Sequence, residues 1–485
     1  MYLGLDIGTS SVKAVLIDGD QRIVASETAP LEVSRPHSGW SEQDPETWWA
    51  ATEVVVGRLA RAHGREVSAV KGIGLSGHMH GATLLDKADR PLRPCILWND
   101  VRSAAEAAEL DANPIFRKVT GNIVFPGFTA PKLVWVAKHE PDVFAKVAMV
   151  LLPKDYVRLR LTGTHASDMS DASGTSWLDV AKRDWSDELL AATGLSRAQM
   201  PRLFEGSAAT SELRADLVAR WGMEGRVIVA GGGGDNAASA CGVGVVRPGT
   251  AFVSLGTSGV LFVSNARFSP DPATAVHAFC HAVPNTWHQM GVILSAAGAL
   301  EWLAGVFNTD AADLTRPLEG PAQGPGDVTF LPYLGGERTP HNDAAVRGSF
   351  VGLNYSTDRN ALTRAVLEGV AFAFADNLAA LRQAGATVDR ALAVGGGSRS
   401  RAWLQIIADT LAIAIDVPEE GDFGAGLGAA RLGLIAATGA DPFAVCTQPR
   451  IKETVEPDND RVAAYAAAYA TYKHLYPAIK EALPQ

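Results

Sequence analysis

The sequence predicts an α/β protein of two lobes, each built around a β-sheet. Runs of β-branched and apolar residues that are typical of strands alternate with longer segments of helical periodicity. A strand–turn–strand pattern with a Gly-Thr-Ser turn occurs in each half, at 2–17 and at 252–263. At 485 residues, the chain is long enough for two large domains. We interpret the repeated hairpin as a duplicated β-lobe whose two turns face one cleft.

Composition excludes several classes of protein. The net charge of -10 and the lack of any long Lys/Arg run argue against nucleic-acid binding, because no basic field would hold the phosphates. The N-terminus has no signal-peptide pattern, and no apolar run is long enough to span a bilayer. The four cysteines, Cys95, Cys241, Cys280 and Cys446, are far apart and form no CxxC pair. We therefore expect reduced thiols and a cytoplasmic protein rather than a disulfide frame or a zinc site.

The first hairpin carries Asp6 on its leading strand and turns at Gly8-Thr9-Ser10-Ser11. Such a tip presents backbone N–H groups and hydroxyls, which suit a phosphate. The turn is not a Walker A loop, because Gly-x-x-x-x-Gly-Lys-Ser/Thr is absent. The second hairpin repeats the turn at Gly256-Thr257-Ser258. A plain hairpin and a phosphate cradle both remain open for each of these segments.

Two histidines follow a predicted strand at 70–76. His78 and His80 alternate along the chain, so both could face one side of an extended segment. As a metal pair they lack third and fourth ligands nearby. We therefore favour a polar lining of a small-molecule pocket over a metal site.

A carboxylate follows the most glycine-rich turn of the chain. Residues 227–230 predict a buried strand, four glycines come next at 231–234, and Asp235 and Asn236 follow. A carboxylate delivered in this way at the end of a buried strand is well placed to be a catalytic base. The alternative is that Asp235 only caps the next helix, as aspartate often does.

A second glycine turn lies between a predicted strand at 391–394 and a helix that runs on from Trp403. Its residues Gly395-Gly396-Gly397-Ser398 would offer backbone N–H groups at a helix N-terminus to a nucleotide. Many α/β proteins share this pattern, so alone it indicates little. A turn signal at Pro248-Gly249 marks the expected boundary between the lobes.

With these residues in place, the chain resembles the FGGY family of carbohydrate kinases, and within it the bacterial xylulokinase branch. The first family signature fits at 128–138, and Glu368 ends the second signature. The chain departs from the usual pattern at His78, Gly335 and Ala361, and its glycine run before Asp235 is one longer. The further matching motifs are Asp6-Ile7-Gly8-Thr9-Ser10, Trp40–Pro45, Met79–Leu85, Ile96–Asp100, Leu152–Tyr156, Ser167–Ala172 and Gly336–Asn342.

The resemblance implies the two-lobed sugar-kinase/actin-like ATPase fold, with an N-terminal lobe at 1–246 and a C-terminal lobe at 247–485. It implies ATP and Mg²⁺ as cofactors, with Asp235 as general base and Asp6 as a second catalytic residue. Asp6 and Asp235 would also hold Mg²⁺, partly through water. The residues expected at the sugar are Met79, His80, Asp235 and Asn236. The residues expected at ATP are Thr9, Gly256, Thr257, Gly396, Gly397 and Ser398.

The activity implied by the resemblance is ATP-dependent phosphorylation of D-xylulose to D-xylulose 5-phosphate. A kinase for another ketose or polyol of the same family is the nearest alternative, because a sequence does not resolve hydrogen bonds to each hydroxyl. An actin-like ATPase whose nucleotide drives partner binding is a more distant alternative, since it needs no sugar pocket. The expected partners are the sugar and ATP, with no nucleic acid and no membrane, and the resemblance allows a homodimer.

Overall fold

The structure is a computed structural model that describes residues 1–419 and 424–482. The strands of the first half are β1 (Tyr2–Ile7), β2 (Ser11–Ile17), β3 (Ile23–Pro30), β4 (Glu42–Gln43), β5 (Gly72–Gly77), β6 (Thr83–Leu85), β7 (Cys95–Ile96), β8 (Met149–Leu151), β9 (Ala166–Asp168), β10 (Leu178–Asp179), β11 (Asp184–Trp185), β12 (Arg202–Phe204), β13 (Ala209–Glu212), β14 (Ile228–Ala230) and β15 (Gly233–Gly234). Its helices are α1 (Pro45–Ala62), α2 (Gly64–Ser68), α3 (Ala104–Asp111), α4 (Pro114–Thr120), α5 (Thr129–His139), α6 (Pro141–Phe144), α7 (Pro153–Thr162), α8 (Met169–Ala172), α9 (Asp187–Ala192), α10 (Ala215–Arg220) and α11 (Asp235–Val243).

The second half follows the same alternation. Its strands are β16 (Ala251–Leu255), β17 (Gly259–Asn265), β18 (His277–Cys280), β19 (Trp287–Ile293), β20 (Thr329–Leu331), β21 (Ser349–Val351), β22 (Arg390–Val394), β23 (Ala414–Pro418) and β24 (Ile451–Val455). Its helices are α12 (Ala297–Val306), α13 (Ala311–Thr315), α14 (Arg359–Gln383), α15 (Arg401–Leu411), α16 (Ala425–Thr438), α17 (Pro442–Val445) and α18 (Asn459–Ala482).

Two sheets of matching topology form the two lobes. Within the described ranges, each of these sheets has seven strands. The first runs β13-β14-β5-β1-β2-β3, with β15 also paired to β5, and the second runs β24-β23-β22-β16-β17-β19-β18. In both, an antiparallel hairpin (β1–β2 or β16–β17) adjoins a parallel strand (β5 or β22). The α/β architecture with a sheet in each lobe, predicted from the repeated hairpin, is confirmed.

Helix α16 belongs to the last part of the chain but packs on the first sheet. Glycines of that sheet allow this close approach, because a Cβ atom at Gly74 would lie 1.9 Å from the carbonyl oxygen of Ala429. On its other side α16 meets α11, where a Cβ at Gly428 would lie 1.7 Å from the Ala238 oxygen. The helix thereby ties the two ends of the chain together. The division of the lobes at residues 246/247 stays a prediction.

An aromatic cluster and a pair of hydrogen bonds join the lobes. Met79, Phe125 and Phe128 of the first half pack in one apolar cluster with Phe252 and Phe279 of the second. The side chain of Asn122 pairs with the backbone of Ala278 through two hydrogen bonds of 3.0 Å, one given and one received. Burial of these groups fixes the edge strand β18 against the first lobe.

The four cysteine thiols are buried and free, as expected for unpaired cysteines. Among the helices of the described residues, we find none with the length and apolarity that a bilayer crossing requires.

Candidate active site

Asp235 is the first residue of α11 and follows the short strands β14 and β15, which both pair with β5. The glycine run is required here, because Gly232 adopts φ +86° and a Cβ atom at that position would lie 2.6 Å from the Leu75 oxygen. Asp235 is not the cap of the helix, since Gly234 occupies that position. The carboxylate accepts hydrogen bonds at Oδ1 from the backbone N–H of Asn236 (2.7 Å) and from its Nδ2 (3.1 Å).

The surroundings of Asp235 make its carboxylate more basic than that of an exposed aspartate. Burial raises its pKa to about 6, and the negative charge of Asp6 acts in the same direction, while the hydrogen bonds from Asn236 oppose them. Asp235 is therefore mostly ionised at pH 7, yet more basic than an ordinary aspartate. A group of this kind is suited to receive a proton.

Asp6 lies at the same edge of the sheet as Asp235. The register pairs Asp6 with Ser76 of β5, and Ser76 in turn pairs with Gly233 of β15. The carboxyl ends of these three parallel strands therefore place the two aspartates on either side of β5. Burial raises the pKa of Asp6, while the Ser76 hydroxyl and the Lys13 ammonium lower it. Two carboxylates at one edge match the oxygen ligands that Mg²⁺ prefers, with part of its water shell kept.

The two Gly-Thr-Ser turns are held by different partners. Thr9 accepts a hydrogen bond at Oγ1 from the Trp98 indole (3.0 Å), and its backbone oxygen accepts one from Gln43 (2.7 Å). In the second turn, the backbone oxygens of Gly256 and Thr257 accept N–H groups from the start of α12, at 2.8 to 3.1 Å. Both turns thus have fixed backbones.

A cavity of about 990 Å³ lies between the lobes. Three residues on one face of α11, Asn236, Ser239 and Val243, form its wall on the side of Asp235. The opposite wall comes from the second sheet and the glycine turn after β22. The other residues that line the cavity, among those that the structure describes, are Phe252, Ser254, Ala393, Val394, Gly395, Gly396, Ser398, Arg399, Arg401, Leu404, Val417, Pro418, Glu419, Gly424, Lys452 and Glu453. The size and the basic groups suit a nucleotide.

The structure brings only some of the predicted nucleotide residues to this cavity. Gly396 and Ser398 line it, and Ser398 is held by its own hydrogen bond to the Gly395 oxygen (2.7 Å). Gly397 instead faces the protein, since a Cβ atom there would lie 2.8 Å from the Trp403 ring and 2.9 Å from Leu255. Within the described lining, Thr9, Gly256 and Thr257 do not contribute either. Their assignments to ATP stay predictions.

His80 has a defined tautomer. Its Nδ1 lies 2.7 Å from the backbone oxygen of Gly174, and because a carbonyl only accepts, Nδ1 must carry the proton. Burial lowers the pKa of His80 to about 3, so the ring is neutral at pH 7 and Nε2 is left as an acceptor. The ring stacks on Phe128 with centroids 4.6 Å apart. His80 can therefore accept a hydrogen bond from a hydroxyl group.

Met79 and His78 have different surroundings from His80. Met79 lies against the Asp235 turn, since a Cβ at Gly234 would be 2.9 Å from its Cγ and Sδ. The prediction that His78 and His80 share one side of an extended segment is wrong, because β5 ends at Gly77 and His80 has φ +71°. His78 packs edge-on against Trp48, and burial lowers its pKa to about 3.

Within the described residues no cluster of three or more metal-ligating side chains occurs.

Sequence reasoning gave no role to several groups around His80. Lys132 is buried and donates to the His80 backbone oxygen (2.8 Å), and burial lowers its pKa to about 7. Arg338 of the second lobe lies over the Phe125 ring (4.9 Å) and 3.5 Å from Nε2 of His277. The motif Gly336–Asn342 was recognised, but spacing along the chain does not reveal that its arginine reaches the other lobe.

A nucleotide-sized cavity between two sheets of matching topology, with the helix that Asp235 begins as one wall, is the arrangement of a two-lobed phosphotransferase of the sugar-kinase/actin-like ATPase fold. Comparison with known proteins agrees. The model of the FGGY family of carbohydrate kinases, N-terminal domain, matches residues 1–242, and that of the C-terminal domain matches residues 251–437. The chain belongs to the FGGY family of carbohydrate kinases, enzymes that use ATP.

Individual relatives match over nearly the whole chain. The xylulose kinase of Escherichia coli K12 is 49% identical over 481 residues, covering 98% of each chain. A crystal structure of a "xyloylose kinase" from Brucella ovis is 63% identical, with a TM-score of 0.98 and coverage of 99% of this chain and 100% of that one. The xylulose kinase structure from Rhodospirillum rubrum is 31% identical, with a TM-score of 0.92 and 99% coverage of both chains.

Proposed function

We propose that the protein transfers the γ-phosphoryl group of ATP to D-xylulose, giving D-xylulose 5-phosphate. The observation that carries this proposal is the placement of Asp235. Its carboxylate, with a pKa of about 6, stands at the start of the helix that forms one wall of the nucleotide cavity. The substrate is proposed from the names of the similar proteins, which are xylulose kinases at 49% identity in two cases.

In this proposal, Asp235 accepts the proton of the sugar hydroxyl as that oxygen attacks the γ-phosphorus. Phosphoryl transfer asks the protein mainly for in-line positioning and charge neutralisation. Nε2 of His80 accepts a hydrogen bond from a second sugar hydroxyl, and Asn236 holds Oδ1 of the base so that Oδ2 faces the sugar. Met79 provides the apolar surface beneath the turn.

Asp6 and Asp235 would hold a Mg²⁺ ion, partly through water. Their position at one edge of the sheet fits an ion that keeps much of its hydration shell. When bound, that ion would supply positive charge that offsets the negative charge of the ATP phosphates. Gly396 and Ser398 would contact the α-phosphate and adenosine, while Thr9, Gly256, Thr257 and Gly397 are proposed to support the phosphates through backbone groups.

A coupled assay with purified protein, MgATP and a panel of ketopentoses, ketohexoses and polyols tests the function. We expect kcat/KM to be highest for D-xylulose, with a sugar 5-phosphate as product. A higher kcat/KM for another ketose or polyol would make that compound, and not D-xylulose, the substrate of this family member. ATP turnover that is independent of sugar and yields no sugar phosphate would favour a partner-driven ATPase. Light scattering on the same sample tests whether the protein forms the homodimer that the resemblance allows.

A further inference from the structure

Two motifs that the proposed mechanism does not use meet beneath the Asp235 turn. Leu152–Tyr156 contributes Lys154 at the start of α7, and Ser167–Ala172 covers β9 and α8. The ammonium of Lys154 lies 2.6 Å from Asp155, 2.8 Å from Asp168 and 3.1 Å from Asp171. All four side chains are at most 1% exposed.

One turn further along α7, Arg158 completes this buried cluster and reaches the glycine run. Its guanidinium donates to the backbone oxygens of Ala230 and Gly231, the latter at 2.8 Å. Three buried carboxylates thus contact the ammonium of Lys154, and Arg158 interacts electrostatically with two of them, Asp155 and Asp168. Buried charges are costly unless they are paired in good geometry, so the segments that carry them have little freedom to shift.

A directed chain of hydrogen bonds leads from this cluster to the residue before the base. Asp168 accepts at Oδ2 from the backbone N–H of Ser170 (2.8 Å) and from the Ser170 hydroxyl. The Ser170 oxygen accepts the backbone N–H of Gly234 at 3.1 Å. Since an N–H group only donates, the hydroxyl proton of Ser170 must point to Asp168, and its lone pair must point to Gly234.

The same segment also contacts the sugar-site histidine and the other lobe. Gly174, four residues after Ser170, accepts the Nδ1 proton of His80. The hydroxyl of Ser173 accepts the backbone N–H of Cys280 in β18 at 3.0 Å. Gly234 itself is confined from its other side by Met79. Residues 168–174 therefore connect the Asp235 turn, His80 and strand β18 of the second lobe to one charged cluster.

We propose that Ser170 is a positioning residue, which fixes the Gly234 peptide and thereby aims the carboxylate of Asp235 at the sugar hydroxyl. Asp168 orients the Ser170 hydroxyl, and Lys154 fixes Asp168. This inference rests on the proposed function, because it takes Asp235 as the base. Small misplacements of a reacting group cost rate without a matching loss of binding.

The test compares two serine-to-alanine variants of the same buried network. Ser170→Ala removes the acceptor of the Gly234 N–H, and we expect kcat to fall about 10–100-fold. The KM values for sugar and ATP should change less than about twofold, because the contacts made in the ground state remain. Ser167→Ala is the matched control, since Ser167 is equally buried and donates to Asp155 (2.6 Å) without touching the turn. It should lower the melting temperature and leave kcat near the wild-type value.

Hydrogen exchange of the peptide that contains Gly234 gives a second measurement. We expect faster exchange there in Ser170→Ala than in Ser167→Ala at equal global stability. If Ser170→Ala does not fold, Ser170→Cys replaces it, because sulfur fills the space but is a weak acceptor. Wild-type kcat in whichever variant folds, or equal falls in kcat and stability for the Ser170 and Ser167 variants, would overturn the inference.

The outcome separates this inference from the proposed function. If Asp235→Ala abolishes turnover while the Ser170 variants behave as wild type, only the positioning role is wrong. If Asp235→Ala keeps its turnover, the assignment of the base is wrong, and the positioning role falls with it.

Discussion

The two Gly-Thr-Ser hairpins share their strand pairing but differ in the side chain that precedes each turn. In the first lobe, β1 pairs with β2 and lies parallel to β5, and in the second, β16 pairs with β17 and lies parallel to β22. When the turns are aligned, Asp6 of the first lobe corresponds to Ser254 of the second. Asp6 lies beside the base, whereas Ser254 lines the nucleotide cavity.

The turns also differ in what holds them. Side chains from distant parts of the chain, Gln43 and Trp98, hold the first turn. Backbone N–H groups of the neighbouring helix α12 hold the second. The same hairpin, used twice, thus carries a carboxylate in the first lobe where it carries a hydroxyl group in the second. This difference supports the proposal that proton transfer and metal binding belong to the first lobe and nucleotide binding mainly to the second.

The largest effect on activity is expected from removal of the Asp235 carboxylate. We expect Asp235→Ala to lower kcat by about 10²–10⁴, as is typical for loss of a general base. Binding of a non-hydrolysable ATP analogue, measured by calorimetry, should change little. Ser239→Ala, on the same helix but further into the cavity, should instead raise the KM for ATP. A fall in kcat of less than about threefold for Asp235→Ala would contradict the assignment.

The next test makes the first hairpin resemble the second. Asp6→Ser should lower activity about 10–100-fold at a fixed low Mg²⁺ concentration, because a partner of the metal's water shell is lost. Titration of Mg²⁺ against rate should show a midpoint shifted to higher concentration. The control variant at the corresponding position of the second hairpin, Ser254→Ala, should keep the wild-type midpoint. Equal midpoints for all three proteins would mean that Asp6 is only structural.

The pH dependence of kcat/KM for the sugar tests the role of Asp235, in the first lobe, as the general base. The carboxylate of Asp235 must be ionised to accept a proton, and its pKa is raised to about 6. We therefore expect kcat/KM to fall about tenfold per pH unit below that value, and to level off above it. Asp6→Asn removes the negative charge that raises the pKa of Asp235. The pH at which kcat/KM begins to fall should therefore be lower in this variant. A profile that is flat from pH 5 to 8, within about twofold, would contradict the base assignment.

The smallest expected effect is in the second lobe, at the glycine turn after β22. A Cβ atom at Gly396 would meet no protein atom within 4 Å, but the residue lines the nucleotide cavity. Gly396→Ala should therefore raise the KM for ATP by about fivefold, with kcat and melting temperature unchanged. Gly395→Ala is the contrast, because Gly395 has φ +91° and its substitution should destabilise the fold. An unchanged KM in Gly396→Ala would place the nucleotide elsewhere.

Part of the fold and of the site could be predicted from local sequence. The repeated turn predicted the duplicated sheets, because strand–turn–strand patterns are set by neighbours along the chain. The run of glycines predicted a turn that delivers Asp235 at the end of a strand, and the structure shows that Gly232 approaches Leu75 too closely for a side chain. The histidine prediction was wrong for a physical reason: alternation holds only within a strand, and β5 ends at Gly77.

Other features depend on contacts between distant residues. Sequence alone did not indicate that α16 packs on the first sheet, that Arg338 reaches Phe125, or that Ser170 holds Gly234. The two members of each pair are separated by tens to hundreds of residues, so the sequence around one member does not identify the other. The resemblance named the motifs involved but did not say what they touch.

By itself, the sequence determined the two-lobed α/β class and the candidate carboxylates, Asp6 and Asp235, because strand periodicity, glycine turns and charge are properties of neighbouring residues. Only the tertiary structure decided that the two carboxylates share one sheet edge, that Nε2 of His80 is an acceptor, and that the pKa of Asp235 is about 6. Those properties arise from strand register, burial and the field of nearby charges, which exist only once the chain is folded.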